Sequence, residues 1–287
     1  MPRARLALAV GSAALLALAG CGTAADKKSD TKPDAFGCTA DKLPTLAKGK
    51  LTIGTDNPVY GPWFVDNKPE SGQGFESAVA YAVADKLGYP KDSVVWTRVT
   101  FNAAIAPGPK AYDFDINEFS ITEDRRKAVD FSTGYYDVKQ TVIALKSSKI
   151  AGAKSIADLK GANLGAQVGT TSYKAITDVI KPTDKPGVYN NNDDAKAALA
   201  NGTLDGLVVD LPTAFYMTGA EIKDSLIVGQ LPPLPGVQQE QFGLVLDKGS
   251  KLTSCVSQAV DQLRSNGKLA ELAKQWLAGA DGARELS

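Results

Sequence analysis

An arginine that follows two hydroxyl residues is the first feature of this sequence that could bind a ligand. Arg125 lies in the charged run 124–127, after Ser120 and Thr122. A guanidinium group can donate to both oxygens of a carboxylate, and hydroxyl groups at a strand end can complete such a site. A solvated charge cluster explains the same residues, so a carboxylate site and a surface turn are both consistent with this segment.

A second candidate anion site lies at residues 169–172, Gly-Thr-Thr-Ser, which precede a predicted helix over 173–180. The free N–H groups and the dipole at a helix start favour an anion. Thr170 and Thr171 are therefore candidate ligand contacts. An ordinary N-terminal cap accounts for these residue types equally well.

An acid at the end of a strand is the candidate cation site. Asp210 directly follows the apolar segment 207–209, and open α/β sheets bind ligands at the carboxyl ends of their strands. Its charge would suit an ammonium group, whereas the simpler interpretation is a solvated loop acid. Two anion-binding features and one cation-binding feature together predict a receptor for a zwitterion.

The composition excludes several classes of function. The 287 residues include no histidine, which removes Ser-His-Asp and Cys-His catalysis and His-ligated zinc. The basic residues Lys and Arg total 32, and the acidic residues Asp and Glu also total 32. The chain therefore has no excess of positive charge that would favour binding to nucleic acid. Three cysteines cannot form a four-thiolate metal site. Asp113, Asp115 and Asn117 resemble the start of a calcium loop, but Glu118 stands where glycine is required. We expect no metal and no cofactor.

The N-terminus is predicted to be a signal peptide over residues 1–20. Arg3 and Arg5 precede the apolar segment 6–19, which is too short to span a bilayer of roughly 30 Å. The segment ends in Leu-Ala-Gly before Cys21, which resembles a bacterial lipobox and predicts lipidation of Cys21. An ordinary signal peptide with an incidental cysteine is the alternative.

The segment after the cleavage site is predicted to be a disordered linker over residues 21–37, because it is small, charged and poor in apolar residues. The folded region would then lie outside the cytoplasmic membrane, attached to it by lipid. In an exported protein, the remaining Cys38 and Cys255 favour a disulfide bond. Two separate buried thiols are the alternative.

Strand-like and helical segments alternate in two successive blocks. In the first block, a strand at 51–54 precedes a helical pattern at 74–88. In the second, a strand at 163–167 precedes helical segments and the apolar run 207–209. This alternation predicts an α/β fold with two lobes.

Several motifs resemble bacterial extracellular solute-binding proteins of family 3, the polar amino acid receptors of ABC importers. The most specific is SITEDRRKAVDFSTGYY at 120–136, and the resemblance covers roughly residues 46–279. It implies a type II clamp of two lobes joined by two hinge strands. Lobe 1 would contain 38–144 and 243–280, and lobe 2 would contain 145–242. It also implies a monomer that docks on the membrane subunits of a permease.

The resemblance also assigns site residues. Arg125, with Ser120, Thr170 and Thr171, would bind the ligand carboxylate, and Asp210 would bind its ammonium group. The remaining implied contacts form the walls and the side-chain subsite: Tyr60, Phe101, Trp63 behind them, and Asp56.

Glu118 departs from the family pattern, which usually has a small residue there, and Asp115 interrupts a normally apolar strand. Acids at 56, 118 and 210 around one pocket would favour a basic amino acid. Two alternatives remain: a sensory amino acid-binding module, and a dehydratase or lyase that uses Glu118 as a general acid. We expect a binding protein rather than an enzyme.

Overall fold

The computed structural model describes residues 37–277 and 282–287. The predicted signal peptide, the lipidated Cys21 and the linker up to residue 36 lie outside the described residues. Within the described part, no helix is long and apolar enough to span a membrane.

Ten strands and eight α-helices alternate along the described chain, as the sequence pattern predicts. The strands are β1 Leu51–Thr55, β2 Val94–Arg98, β3 Phe114–Asp115, β4 Val129–Val138, β5 Gln140–Leu145, β6 Leu164–Gln167, β7 Gly187–Tyr189, β8 Gly206–Asp210, β9 Ser225–Gln230 and β10 Glu240–Asp247. The helices are α1 Phe75–Lys86, α2 Phe101–Ile105, α3 Glu123–Arg126, α4 Thr171–Ala175, α5 Asn192–Ala200, α6 Leu211–Tyr216, α7 Thr253–Ser265 and α8 Lys268–Trp276.

The strands form two mixed sheets of five. The first has the order β2-β1-β3-β10-β4, with β10 antiparallel to both of its neighbours. The second has the order β7-β6-β8-β5-β9, with β5 antiparallel to both neighbours. Parallel pairs such as β1 with β2 require a crossover, which α1 provides. We call the elements around each sheet the first lobe and the second lobe.

The chain crosses between the lobes at two places. It leaves β4 for β5 through Lys139, and it returns through residues 231–239 from β9 to β10. The predicted division at 144/145 falls at the far end of β5, and the one at 242/243 falls inside β10. We therefore move the proposed boundaries to Lys139 and to 231–239. The sequence over 135–145 has one continuous extended pattern. It therefore does not indicate that β4 ends and that β5 begins in the other sheet.

After α8 the chain meets the second lobe again. Leu269 and Leu272 of α8 lie in the first-lobe core. Glu285, in contrast, pairs with Gln230 at the end of β9, and Gln230 exchanges backbone hydrogen bonds of 2.7 and 2.9 Å with Arg284 and Leu286. The Leu286 side chain is buried in the second-lobe core. Residues 282–287 thus add a contact with the second lobe beyond the two predicted hinge strands.

Aromatic packing and a disulfide organise the first-lobe core. The ring of Trp63 is fully buried and packs edge-to-face on Phe75 and Phe242. Cys38 and Cys255 are joined in a disulfide with a Cα–Cα distance of 5.5 Å. The start of the described chain is thereby fixed to α7.

The central strands of the second lobe are buried on both faces. In β5, Val142 belongs to one apolar cluster and Ile143 to another, and Val208 and Leu207 of β8 divide in the same way. Successive side chains point to opposite faces of a sheet, so a strand covered on both sides is apolar throughout. This explains the unbroken apolar run that ends at Asp210.

Candidate functional site

A cavity between the two lobes brings together most of the predicted site residues. Of the predicted ligand contacts, all except Ser120 and Trp63 line this cavity. The lining residues that the sequence predicted are Asp56, Tyr60, Phe101, Glu118 and Arg125 from the first lobe and Thr170, Thr171 and Asp210 from the second. Motifs far apart in sequence therefore meet in one place.

Arg125 is held with its guanidinium at the cavity wall. It lies on α3, which Thr122 caps by accepting the Arg125 N–H. Its Nη1 donates to the carbonyl of Ser120 at 2.7 Å, and its Nη2 donates to the carbonyl of Gly169 at 3.0 Å. The group also lies 5.3 Å from the centre of the Phe101 ring. Two carbonyl contacts leave further N–H donors for a ligand.

The Arg125 guanidinium is buried, with 9% of the residue exposed, and forms no ion pair with a described residue. Burial lowers its pKa to about 10, against the opposing influence of Glu240 and Asp210. It therefore stays charged at neutral pH. A buried cation without a direct carboxylate partner is well suited to an anionic ligand group.

Ser120 lies behind the cavity wall and orients its neighbours. Its hydroxyl donates to Glu240 Oε1 at 2.6 Å and lies 3.0 Å from the hydroxyl of Thr171. Because a hydroxyl has one proton, Thr171 is the donor in the second contact. Ser120 thus positions Arg125 through its carbonyl and Thr171 through its hydroxyl, although it does not line the cavity.

In the second lobe, Thr170 both caps α4 and lines the cavity. Its hydroxyl accepts the N–H of Tyr173 at 3.2 Å and donates to the carbonyl of Gln167 at 2.7 Å. The capping interpretation therefore describes the Thr170 side chain. The same residue lies at the cavity wall beside Thr171, so the two interpretations of this segment do not exclude each other.

Asp210 occupies the carboxyl end of β8, as the sequence predicts. It stands at the N-cap of α6, but its side chain does not bind that helix. Its Oδ1 accepts a 2.7 Å hydrogen bond from Gln140 Nε2. Burial and the nearby charge of Glu240 raise the pKa of Asp210 well above its usual range, while Arg125 opposes the shift.

The Glu118 carboxylate points into the cavity. Its backbone has a φ of 53°, in the left-handed region that a residue other than glycine rarely adopts. The backbone N–H donates to Glu76 Oε1 at 2.7 Å, and Oε2 accepts from the hydroxyl of Thr213 at 3.1 Å. Burial raises its pKa well above the usual range, and the charges of Glu76 and Asp210 raise it further.

Of the residues predicted to form the cavity walls and the side-chain subsite, Tyr60, Phe101 and Asp56 line the cavity and Trp63 does not. Trp63 is fully buried and does not line it, because the indole belongs to the first-lobe core; only its N–H, which donates to Thr213 at 2.8 Å, approaches the site. Tyr60 is half-buried at the wall, and Phe101 stacks on Phe119 with centroids 4.8 Å apart. The Asp56 carboxylate accepts the backbone N–H of Phe101 at 3.2 Å.

Sequence reasoning missed several polar residues of the site. Asn117, Gln167, Ser172, Asn192 and Thr213 line the cavity. Asn117 is adjacent to Glu118, and Ser172 belongs to the Gly-Thr-Thr-Ser motif, so each lies next to a predicted contact although neither was predicted as one. The position of Thr213 depends on how closely the lobes approach, and no local pattern indicates it.

Two further missed residues connect the site to the crossings. Gln140 Nε2 donates to both Glu240 and Asp210, and Gln140 Oε1 accepts from Ser172. Gln140 and Glu240 are the first residues of β5 and β10. Among the described residues, no group of three or more possible ligands could hold a metal ion.

Several known proteins resemble this chain in sequence or in fold. The chain is 28% identical over 246 residues to the L-arginine-binding protein of Pseudomonas aeruginosa, covering 82% of this chain and 91% of the relative. It is 27% identical to the ABC transporter glutamine-binding protein GlnH of Bacillus subtilis, covering 92% and 93%. A solved structure, an ancestral arginine-binding protein bound to arginine, matches with a TM-score of 0.64 and 30% identity, covering 79% of this chain and 98% of that one.

These similarities confirm the predicted two-lobe clamp fold. The sequence model of the family described as "Bacterial extracellular solute-binding proteins, family 3" matches residues 51–279. That range contains both sheets and all of the predicted ligand contacts. The chain therefore belongs to the family 3 bacterial extracellular solute-binding proteins.

Proposed function

We propose that this protein is the extracytoplasmic amino acid receptor of an ABC importer. The observation that supports this best is the placement of Arg125 and Asp210 in one cavity, on opposite lobes. An α-amino acid has a carboxylate and an ammonium group on the same carbon. A cation and an anion that face one small cavity match this pair of charges.

In the proposed complex, Arg125 binds the carboxylate and Asp210 binds the ammonium group. Thr170 and Thr171 lie beside the carboxylate, and Tyr60 and Phe101 enclose the side chain. Charge-assisted hydrogen bonds contribute about 1.5–3 kcal/mol each. Since micromolar affinity requires only about 8 kcal/mol, a few such bonds are sufficient after the cost of closing the lobes.

The ligand class that the cavity favours is a basic amino acid. Among the described residues, three acids line it, Asp56, Glu118 and Asp210, against one cation, Arg125. Arg125 and Asp210 are matched by the two charges common to all amino acids, which leaves two acids for the side chain. The arginine-binding relatives support the same choice.

The contacts between the two lobes support a closed state of the clamp. Two hydrogen bonds beside the cavity link the lobes, from Arg125 to Gly169 and from Trp63 to Thr213. A ligand that contacts both lobes favours this state over an open one. We infer that the closed form docks on the permease, and that lipid on Cys21 keeps the receptor at the membrane.

The test is to identify the ligand directly. Mass spectrometry of the purified protein and isothermal titration with all twenty amino acids should reveal a basic amino acid as the tightest ligand. Tighter binding of acidic or aliphatic amino acids would contradict the ligand class, and no amino acid binding would contradict the receptor function. Turnover of a bound ligand would favour the lyase alternative, and signalling without transport in a permease knockout would favour the sensory one.

A further inference from the structure

We propose that Thr213 is a positioning residue that fixes the Glu118 carboxylate when the lobes close, and that this contact gives the receptor its preference for cationic side chains. The inference rests on the proposed function and adds to it a residue that contributes to ligand selectivity. Thr213 lies on α6 of the second lobe, whereas Glu118 belongs to the first.

The hydroxyl proton of Thr213 has a defined direction. The indole Nε1 of Trp63, 2.8 Å away, can only donate, so the hydroxyl oxygen is the acceptor in that bond. Its own proton is then directed to Glu118 Oε2 at 3.1 Å. The contact requires an oxygen that accepts, and an ionised carboxylate provides one.

The backbone of Glu118 is fixed independently, from within its own lobe. Glu76 Oε1 accepts the N–H of Glu118 at 2.7 Å and also the hydroxyl of Tyr135. Glu76 and Tyr135 are both buried. These contacts maintain the left-handed conformation of Glu118 and point its side chain toward the second lobe, where Thr213 meets it.

The contact between Thr213 and the Glu118 carboxylate requires the lobes to be closed. Both partners of the Thr213 hydroxyl, Trp63 and Glu118, belong to the first lobe, so both bonds break when the clamp opens. In the open form the Glu118 carboxylate can rotate, and in the closed form one oxygen is held by Thr213. Thr213 holds Oε2 only, and we infer that the other oxygen, Oε1, accepts from a donor on the ligand.

The charge of the ligand decides whether this arrangement favours closure. Glu118 on one lobe and Asp210 on the other approach each other when the cavity closes, and two carboxylates in a buried site repel. A ligand with one ammonium group compensates Asp210 alone. A second cationic group on the side chain compensates Glu118 as well, so closure with Thr213 bound to Glu118 favours arginine or lysine over glutamine.

The experiment compares Thr213→Val, which keeps the shape but removes the hydroxyl, with Thr213→Ser, which keeps the hydroxyl. Isothermal titration measures binding of L-arginine, L-lysine and L-glutamine to each. We expect Thr213→Val to weaken arginine and lysine binding by about tenfold or more, from the loss of one charge-assisted bond. Thr213→Val also removes the acceptor of the Trp63 N–H, which weakens closure for every ligand, so glutamine binding should fall as well, but by a several-fold smaller factor than arginine and lysine binding. Thr213→Ser should remain near the wild type.

A double-mutant cycle separates positioning from a general effect on closure. In a Glu118→Gln background, Thr213→Val should weaken arginine binding only by the smaller factor that comes from the lost Trp63 contact, because the carboxylate that Thr213 positions is absent. Equal losses for all three ligands, or additive losses in the cycle, would overturn the proposal. Circular dichroism checks that each variant is folded.

The wild-type titrations distinguish failure of this inference from failure of the proposed function. A wild type that binds glutamine more tightly than arginine and lysine would overturn the role of Thr213 in selectivity while leaving an amino acid receptor in place. A wild type that binds no amino acid at all would overturn both proposals.

Discussion

The Nη2 nitrogen of Arg125 lies 3.0 Å from the backbone carbonyl oxygen of Gly169, so the cation of the first lobe is hydrogen-bonded to the second lobe. The adjacent pair of hydroxyls, Ser120 and Thr171, forms a similar link at 3.0 Å. The groups proposed to bind the ligand carboxylate therefore also join the lobes. Ligand binding and closure depend on the same side chains.

Replacement of Arg125 by alanine should abolish most ligand binding. Loss of two charge-assisted bonds of about 1.5–3 kcal/mol each would weaken binding by roughly a hundredfold or more. Isothermal titration measures this effect, with thermal denaturation as a test of folding. Arg126→Ala is the matched control, because that side chain is next in sequence, is 42% exposed and does not line the cavity. Unchanged affinity in Arg125→Ala would contradict the assignment of the carboxylate site.

Asp210→Asn should weaken amino acid binding by about tenfold or more, because the negative charge that faces the ammonium group is removed. Asparagine retains an Oδ1 that can accept the hydrogen bond from Gln140, so the local structure should persist. Titration against the tightest wild-type ligand measures the loss. Asp205→Asn, a change in the same lobe but outside the cavity lining, is the control. An equal effect of both changes would exclude a specific ammonium contact.

Stability should fall as the pH rises toward neutrality because of the buried Glu76. Burial raises the pKa of this group from 4.5 to about 7. A carboxyl group with a higher pKa in the folded state stabilises the fold below its unfolded pKa, and that contribution is lost as the pH rises through the folded value. The free energy of unfolding should therefore decrease between pH 4.5 and about 7, by at most about 3 kcal/mol from this group.

Urea denaturation of the wild type and of Glu76→Gln at pH 5 and pH 7.5 tests this dependence. Glutamine keeps an oxygen that can accept from Glu118 and Tyr135, so the variant should lose part of the pH dependence and gain stability relative to wild type at the higher pH. Glu123→Gln, at a highly exposed position, should have the slope of the wild type. Identical slopes for all three proteins would show that Glu76 does not titrate in this range.

Loss of the disulfide should destabilise the protein without affecting the ligand contacts. Cys38 and Cys255 are separated by 217 residues, and such a bond restricts the unfolded chain strongly. Replacement of both by serine should lower the free energy of unfolding by about 2–5 kcal/mol. Guanidinium denaturation with and without reductant measures the difference, and mass spectrometry after thiol alkylation counts free cysteines. Equal stability under both conditions would contradict the bond.

Local patterns were sufficient for much of the fold. The helical pattern at 74–88 predicted α1, and the strand pattern at 163–167 predicted β6. Strand β9, Ser225–Gln230, was missed, because a short apolar run at a sheet edge has no distinctive periodicity. The change of sheet at Lys139 was missed because it depends on which distant strands pair.

The same limit applies to the site. Arg125, Thr171 and Asp210 were predicted because each lies at the end of a strand or the start of a helix, within a short recognisable motif. Gln140 and Glu240 were not, although their side chains are hydrogen-bonded, because 100 residues separate them in sequence. Their meeting is a property of the assembled hinge rather than of either segment.

The docking of residues 282–287 on β9 determines what a reporter group attached there would measure. The carbonyl of Ser287 accepts the N–H of Ile156, and the Leu286 side chain is buried in the second-lobe core. A fluorophore near this end of the described chain would therefore move with the second lobe, even though α8 belongs to the first. Paired with a dye on the exposed side of α1, it would follow the hinge motion by energy transfer in single molecules.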